Sequence, residues 1–176
     1  MKKITTLLLL SFFSTQVFGQ FQRKITTYIS AQYTKTIHDI TLGNNPWGMG
    51  LGVQSFLNNK SEFKPTIEIT SDIYLGDDKV FRADSTGSPF NSLGGMTNLF
   101  IGASFNPTKN YYLSFMAGPS FLGGQSLLGI KPSVGFYFSN KQKLTGKISY
   151  ITIFNRGYIK KEDFASWSIS LGVKLF

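Results

Sequence analysis

The constraint that most limits how this chain can fold is a division of its residues by parity, repeated in eight stretches separated by turn-forming segments. It is clearest in Ser166 to Phe176. There Trp167, Ile169, Leu171, Val173 and Leu175 share one parity, and Ser166, Ser168, Ser170, Gly172 and Lys174 share the other. Successive side chains point to opposite faces in an extended strand, so the pattern describes a strand with one apolar face. At the surface of a water-soluble sheet the second face would be charged. Here it is Ser and Gly with one Lys, a composition that suits the inside of a narrow barrel.

Seven further strands are expected, at Ile25 to Thr36, Trp47 to Asn58, Lys64 to Leu75, Gly95 to Phe105, Tyr111 to Gly118, Leu128 to Ser139 and Lys143 to Phe154. On the second, Trp47, Met49, Leu51 and Val53 oppose Gly48, Gly50, Gly52 and Gln54. On the third, Ile67, Ile69 and Ile73 oppose Thr66, Glu68, Thr70, Asp72 and Tyr74. The alternation fades in Ile151 to Phe154. Beyond the amino-terminal leader no stretch has a helical period or the roughly 20 apolar residues of a membrane helix.

The spacers alternate too. Asn59 to Phe63, Asn106 to Asn110 and Asn140 to Gln142 are short, whereas Ile37 to Pro46, Gly76 to Gly94, Pro119 to Leu127 and Asn155 to Ala165 are generally longer. In a closed antiparallel meander, odd connections gather at one rim and even ones at the other. The barrel is therefore expected to have a short-turn rim and a long-connection rim. Strands of about 9 to 12 residues cross a bilayer at a tilt, and closure leaves no bare edge in lipid.

Composition fits a lipid-facing exterior: charged residues are 15% of the chain, against about 25% in ordinary globular proteins. The absence of cysteine excludes a disulfide scaffold and any thiolate site, and with one histidine no metal centre is expected. Met1 to Gly19 carries Lys2 and Lys3, the apolar run Leu7 to Leu10, and Val17 and Gly19 at minus three and minus one. Those are the parts of a secretory signal peptide cut after Gly19, leaving residues 20–176 as one domain.

Period-two strands, alternating connections and an apolar last strand ending on the aromatic Phe176 resemble the small eight-stranded outer-membrane barrels of Gram-negative bacteria, the OmpA and OmpX type. Phe176 itself falls on the Ser/Gly/Lys parity rather than the apolar one. The resemblance implies an all-β fold: an eight-stranded antiparallel transmembrane β-barrel, wound as an up-and-down meander, in the cell outer membrane. Its implied partners are outer-membrane lipids and the barrel-assembly machinery, acting through the strand Trp167, Ile169, Leu171, Val173, Leu175 and Phe176. A structural or surface-interaction role without a wide pore is expected. The alternatives are an accessory subunit of an outer-membrane assembly or secretion machine, with an envelope protein partner, or a lipid A-modifying enzyme. No cofactor and no nucleic-acid partner is expected.

The inward parity carries Glu68, Asp72, Lys131, Lys147 and Lys174. Counting from strand ends sets Glu68 level with Lys147 and Asp72 level with Lys131, so ion pairs are expected to plug the interior. Gly48, Gly50 and Gly52 leave space on the inner face for a small ligand near the outer mouth or for a neighbouring ring, and the Tyr74 ring is the expected occupant. Tyr33, Trp47, Tyr111 and Trp167 lie near strand ends on the outward parity, where interfacial aromatic anchors sit.

The short-turn rim is basic: Arg23, Lys24, Lys60 and Lys64, with Lys109, Lys141 and Lys143, face Glu62 alone. Removing Lys2 and Lys3 lowers the net charge from +9 to +7, and this rim supplies +6 of it. Such an excess suits anionic headgroups or an acidic periplasmic partner, and equally an ordinary solvated turn. For acyl transfer the sequence offers His38 beside Asp39, with Ser85, Ser88 or Ser126. No spacing supports that set, and an enzyme is not expected. Gly76 to Gly94, with Phe81 and Phe90, is the expected contact loop by length.

Overall fold

The computed structural model describes residues 24–37, 47–75, 93–122, 125–154 and 163–176. They form eight strands: β1 (Ile25–Thr36), β2 (Trp47–Leu57), β3 (Phe63–Leu75), β4 (Leu93–Phe105), β5 (Tyr111–Leu122), β6 (Gln125–Tyr137), β7 (Leu144–Ile153) and β8 (Phe164–Lys174). Each pairs antiparallel with the next, and β8 pairs with β1 to close the barrel. Every strand thus has two neighbours, which lipid demands of backbone polar groups. The leader, Met1 to Gly19, lies outside the described residues.

One connection differs from its sequence reading. β5 and β6 pair as far as Leu122↔Gln125, so the loop expected at Pro119 to Leu127 shrinks to residues 123–124. Pro119 lacks an N–H donor and argues against a central strand, yet it stays inside β5. The consequence is local. Asn98↔Ser120 and Ile101↔Ala117 keep one register, and the positions between them drop out of the β4–β5 ladder. Pro132 has the same effect on β6–β7, where Ile130↔Thr152 is followed by Ser133↔Ser149. At the other boundary, Leu175 and Phe176 lie past β8 but stay tied to β1. The Leu175 N–H donates to the Thr27 carbonyl (2.8 Å), and the Thr27 N–H to the Phe176 carbonyl (3.0 Å).

Parity assigns the faces as the sequence suggests. Met49, Leu51, Ile101 and Leu171 are each more than 60% exposed on the outside, whereas Tyr28, Glu68 and Phe100 are buried inside. So broad an apolar exterior is a surface for lipid, not water.

Closure is staggered. Paired residues can be followed from Thr27 through Ser55, Ile67, Ile101, Ala117, Ile130, Thr152 and Ala165, and the path regains β1 at Ile37, ten residues further on. Eight strands so staggered tilt by roughly 40° around a lumen just wide enough for side chains. Counting from strand ends therefore finds only part of what meets across it: Glu68 and Lys147, set level by counting, do pair, whereas Asp72 and Lys131 do not.

Three layers fill the lumen. At the short-turn end Tyr28, Phe56 and Tyr112 pack edge to face, with centroids 5.9 and 5.3 Å apart, and Tyr137 packs against them. Gly135 makes this floor possible, because a Cβ there would collide with the Tyr112 ring. Toward the long-connection end, Met96, Phe100, Met116, Ile153 and Phe164 form an apolar cap with Tyr74 and Ile151. Ile151 and Ile153 continue the inward parity of Lys147 and Ser149. The alternation that fades in sequence is geometrically intact; its inner face has simply turned apolar. The charged layer lies between.

Candidate functional site

Glu68 is the centre of that layer. Its Oε1 accepts hydrogen bonds from Lys131 Nζ and Lys147 Nζ, each at 2.7 Å, with all three side chains at most 4% exposed. Lys147 also donates to Gln54 Oε1 (2.9 Å), and the Tyr112 hydroxyl reaches the same oxygen at 3.4 Å, joining the layer to the floor. Above, Lys131 Nζ stands 6.0 Å from the Phe100 ring centroid in the cap. An isolated buried ion costs several kcal/mol in desolvation, which opposite charges and added hydrogen bonds offset.

Asp72 finds a different partner from the one its position suggests. Gln32 Nε2 donates to its Oδ1 at 2.5 Å, and no ion pair with Lys131 forms. The stagger of the barrel brings both lysines to Glu68. Gly50 explains the Asp72 contact. It stands in register between Gln32 and Asp72 on the neighbouring strands, and a Cβ there would collide with the Asp72 carboxylate. The nearest side-chain atom to Gly50 is thus a carboxylate oxygen, and Tyr74 stacks edge to face on Phe164 at 5.9 Å. A cavity of about 10 Å³ remains between Gln32, Asp72, Tyr74, Asn98 and Lys131, room for about one water molecule. Lys174 stands apart: it is half-buried at the short-turn end of β8, opposite Tyr28, and takes no part in the pairs on Glu68.

The outward aromatics occupy both ends. Tyr33 stacks on Trp47 at 6.0 Å, and Trp167 contacts Tyr150 at 5.1 Å, both toward the long connections. Lys35, exposed, stands in register between Trp47 and Trp167. The sequence reading missed it, although its outward parity beside two tryptophans is visible there. At the short-turn end Tyr111 is exposed, and Phe63 stacks on Phe105 at 4.7 Å. Sequence reasoning also missed the apolar cap, because it sorted faces by polarity and passed over Met96 and Phe100 on the inward side.

Of the acyl-transfer candidates, His38, Asp39, Ser85 and Ser88 lie outside the described residues, and Ser126 is exposed. Among the described residues no group of three His, Asp or Glu side chains could hold a metal ion.

Strand number, stagger and filled lumen define the fold: a closed, eight-stranded antiparallel β-barrel with a lipid-suited exterior, the architecture that small outer-membrane barrels share. The sequence matches no family model and no curated protein. The fold is similar to that of Ail, the attachment invasion locus protein of Yersinia pestis, with a TM-score of 0.56 at 13% identity, covering 86% of this chain and 98% of that one. Ail in complex with the heparin analogue sucrose octasulfate aligns with a TM-score of 0.55 at 15% identity, covering 86% and 98%. A de novo designed transmembrane β-barrel aligns at 0.50 and 8% identity, covering 85% and 95%. At these identities the likeness is one of fold. That a designed chain shares it shows how little the barrel alone says about activity.

Proposed function

We propose that this chain is a small outer-membrane barrel that acts through its surface, as a structural or interaction protein, while its interior is closed to solutes. The observation that carries the reading is the filled lumen: Glu68 clamped by two lysines, between an aromatic floor and an apolar cap. Purified protein in planar bilayers is expected to form no stable large-conductance channel; such channels would overturn the closed interior.

In this reading residues 1–19 are removed on export, the short turns face the periplasm, and the longer connections face outside. Tyr33, Trp47, Tyr111 and Trp167 hold the barrel at the two headgroup levels. Trp167, Ile169, Leu171 and Val173 on the outward face of β8, with Leu175 and Phe176 just past it, are the segment read by the barrel-assembly machinery. The interior ions are engaged with one another and with amides, which favours a non-enzymatic role. Cell fractionation is expected to recover the mature chain in the outer membrane as a heat-modifiable band starting at Gln20. A freely soluble periplasmic protein would end the proposal.

The heparin analogue bound by Ail does not transfer readily to this chain. Its longer connections carry Lys79, Arg82, Arg156, Lys160 and Lys161 against Asp39, Asp77, Asp78, Asp84, Glu162 and Asp163. That balance gives a sulfated ligand no net attraction.

A further inference from the structure

The basic charge of this protein is concentrated around the opposite mouth. A cleft of about 320 Å³ opens there between the β2–β3, β4–β5 and β6–β7 turns, lined in part by Lys60, Lys64, Lys109 and Gln142. Lys64 shares the inward parity of Thr66 and Glu68, so it borders the mouth and not the lipid. Lys143 and Lys174 share the inward parity of Lys147 and Ser170 at the same end. The outward positions at this level are Leu57, Phe63, Tyr111 and Phe138, an apolar and aromatic girdle. Lipid therefore meets rings and aliphatic chains, while the lysines stand on the water side.

The cleft is built, not loose. Gln142 adopts φ 51°, a left-handed conformation that a non-glycine residue adopts only at a cost. In that position its Nε2 donates to the Lys109 carbonyl (2.9 Å), and its own carbonyl accepts from the Tyr28 hydroxyl (2.8 Å). One residue thus ties two turns to the aromatic floor. Several other polar groups of the turns are engaged as well: Asn59 Nδ2 donates to the Phe63 carbonyl, the Phe63 N–H to Ser61 Oγ, and the Tyr111 N–H to Thr108 Oγ1. The charged groups this cradle offers a ligand are the ammonium groups of Lys60, Lys64 and Lys109, opposed among the described lining residues by Glu62.

We propose that this mouth is a docking site for an acidic peptide segment of a periplasmic partner protein, its carboxylates meeting Lys60, Lys64 and Lys109. The size of the cleft suits a few side chains, and the girdle keeps membrane headgroups outside the ring. The periplasmic setting rests on the orientation proposed above. Binding itself does not, so a fractionation failure and a binding failure are separable.

The test uses the full chain in phosphatidylcholine nanodiscs, titrated with a fluorescent synthetic peptide of alternating Glu and Gly. The peptide binds, and binding weakens as salt is raised. Changing Lys60→Gln, Lys64→Gln and Lys109→Gln together weakens it at least about tenfold, whereas Glu62→Gln tightens it about twofold or more. Should the triple variant not fold, as judged by heat modifiability, Glu62→Gln decides alone: tightening supports the site and an unchanged affinity overturns it. No binding, or equal binding by a folded triple variant, also overturns it. So does lysine-dependent retention of phosphatidylglycerol in mixed nanodiscs without peptide binding, which would make the site a headgroup site.

Discussion

Lysine appears in this barrel in two settings that share a residue type and little else. Lys131 and Lys147 are buried, and both are bound to one carboxylate oxygen. Lys60 and Lys109 are exposed at the short-turn mouth, with no ion pair among the described residues. Position along the strand makes the difference. An inward lysine halfway up meets a lumen filled by side chains, with room for about one water molecule, and must find an acid there. One at the end of a strand, or in a turn, keeps its hydration and stays available. The buried charges belong to the architecture, and the rim charges are free to serve a partner.

The sharpest way to break that contrast is to remove the acid. Glu68→Ala leaves two ammonium groups buried without their carboxylate, and it should destabilise the barrel by about 3 to 5 kcal/mol in refolding titrations. Lys147→Ala should cost less, because Glu68 keeps Lys131. A cycle combining the two should show strong coupling; additive losses would mean that the pair does not interact. Replacing Glu68, Lys131 and Lys147 together by Met should restore much of the loss, since a well-packed apolar set avoids the desolvation cost. If that variant also stayed closed in planar bilayers, the ions would be dispensable as a plug.

A smaller effect tests whether the polar side of the lumen is as tightly fitted as the apolar side. Gly50→Ala places a methyl group where the Asp72 carboxylate lies against Gln32. Overpacking of this kind costs about 1 to 3 kcal/mol. The loss should shrink when Asp72→Ala is added, because the colliding group is then gone. A harmless Gly50→Ala would mean that Asp72 has room to move and that the layer is looser than its contacts indicate.

These contacts mark the limit of what the sequence made legible. The inward and outward sets of β2, β3 and β8 could be read from parity, since a half-buried strand writes its two faces into alternate residues. The barrel followed from eight such strands with nothing charged enough to face water. Partner choice inside the lumen was legible only in part: counting set Glu68 level with Lys147, and the two do pair, but the rest depends on a stagger that accumulates around all eight ladders. Asp72 and Lys131, level by counting, do not form a pair for that reason. Pro119 misled for another reason: its missing N–H removes ladder bonds locally, but the β5–β6 ladder on its other side holds the strand straight through it. The Gln142 tether was invisible, because a side chain that spans two turns leaves no periodic trace.

The smallest expected effect completes the contrast. Lys60→Gln and Lys109→Gln, singly, should leave the unfolding midpoint unchanged, since each side chain is exposed and neither takes part in an ion pair among the described residues. Salt separates the settings further. Charges in water are screened beyond about 8 Å at physiological ionic strength, whereas a pair buried in the filled lumen is screened far less. Raising salt should therefore abolish acidic-peptide binding at the mouth while the gap in stability between wild type and Glu68→Ala persists. If Lys60→Gln unfolded the barrel as Glu68→Ala does, the rim lysines would be part of the architecture after all. If salt closed the Glu68→Ala gap, water would reach the central layer, and the interior could no longer be described as sealed.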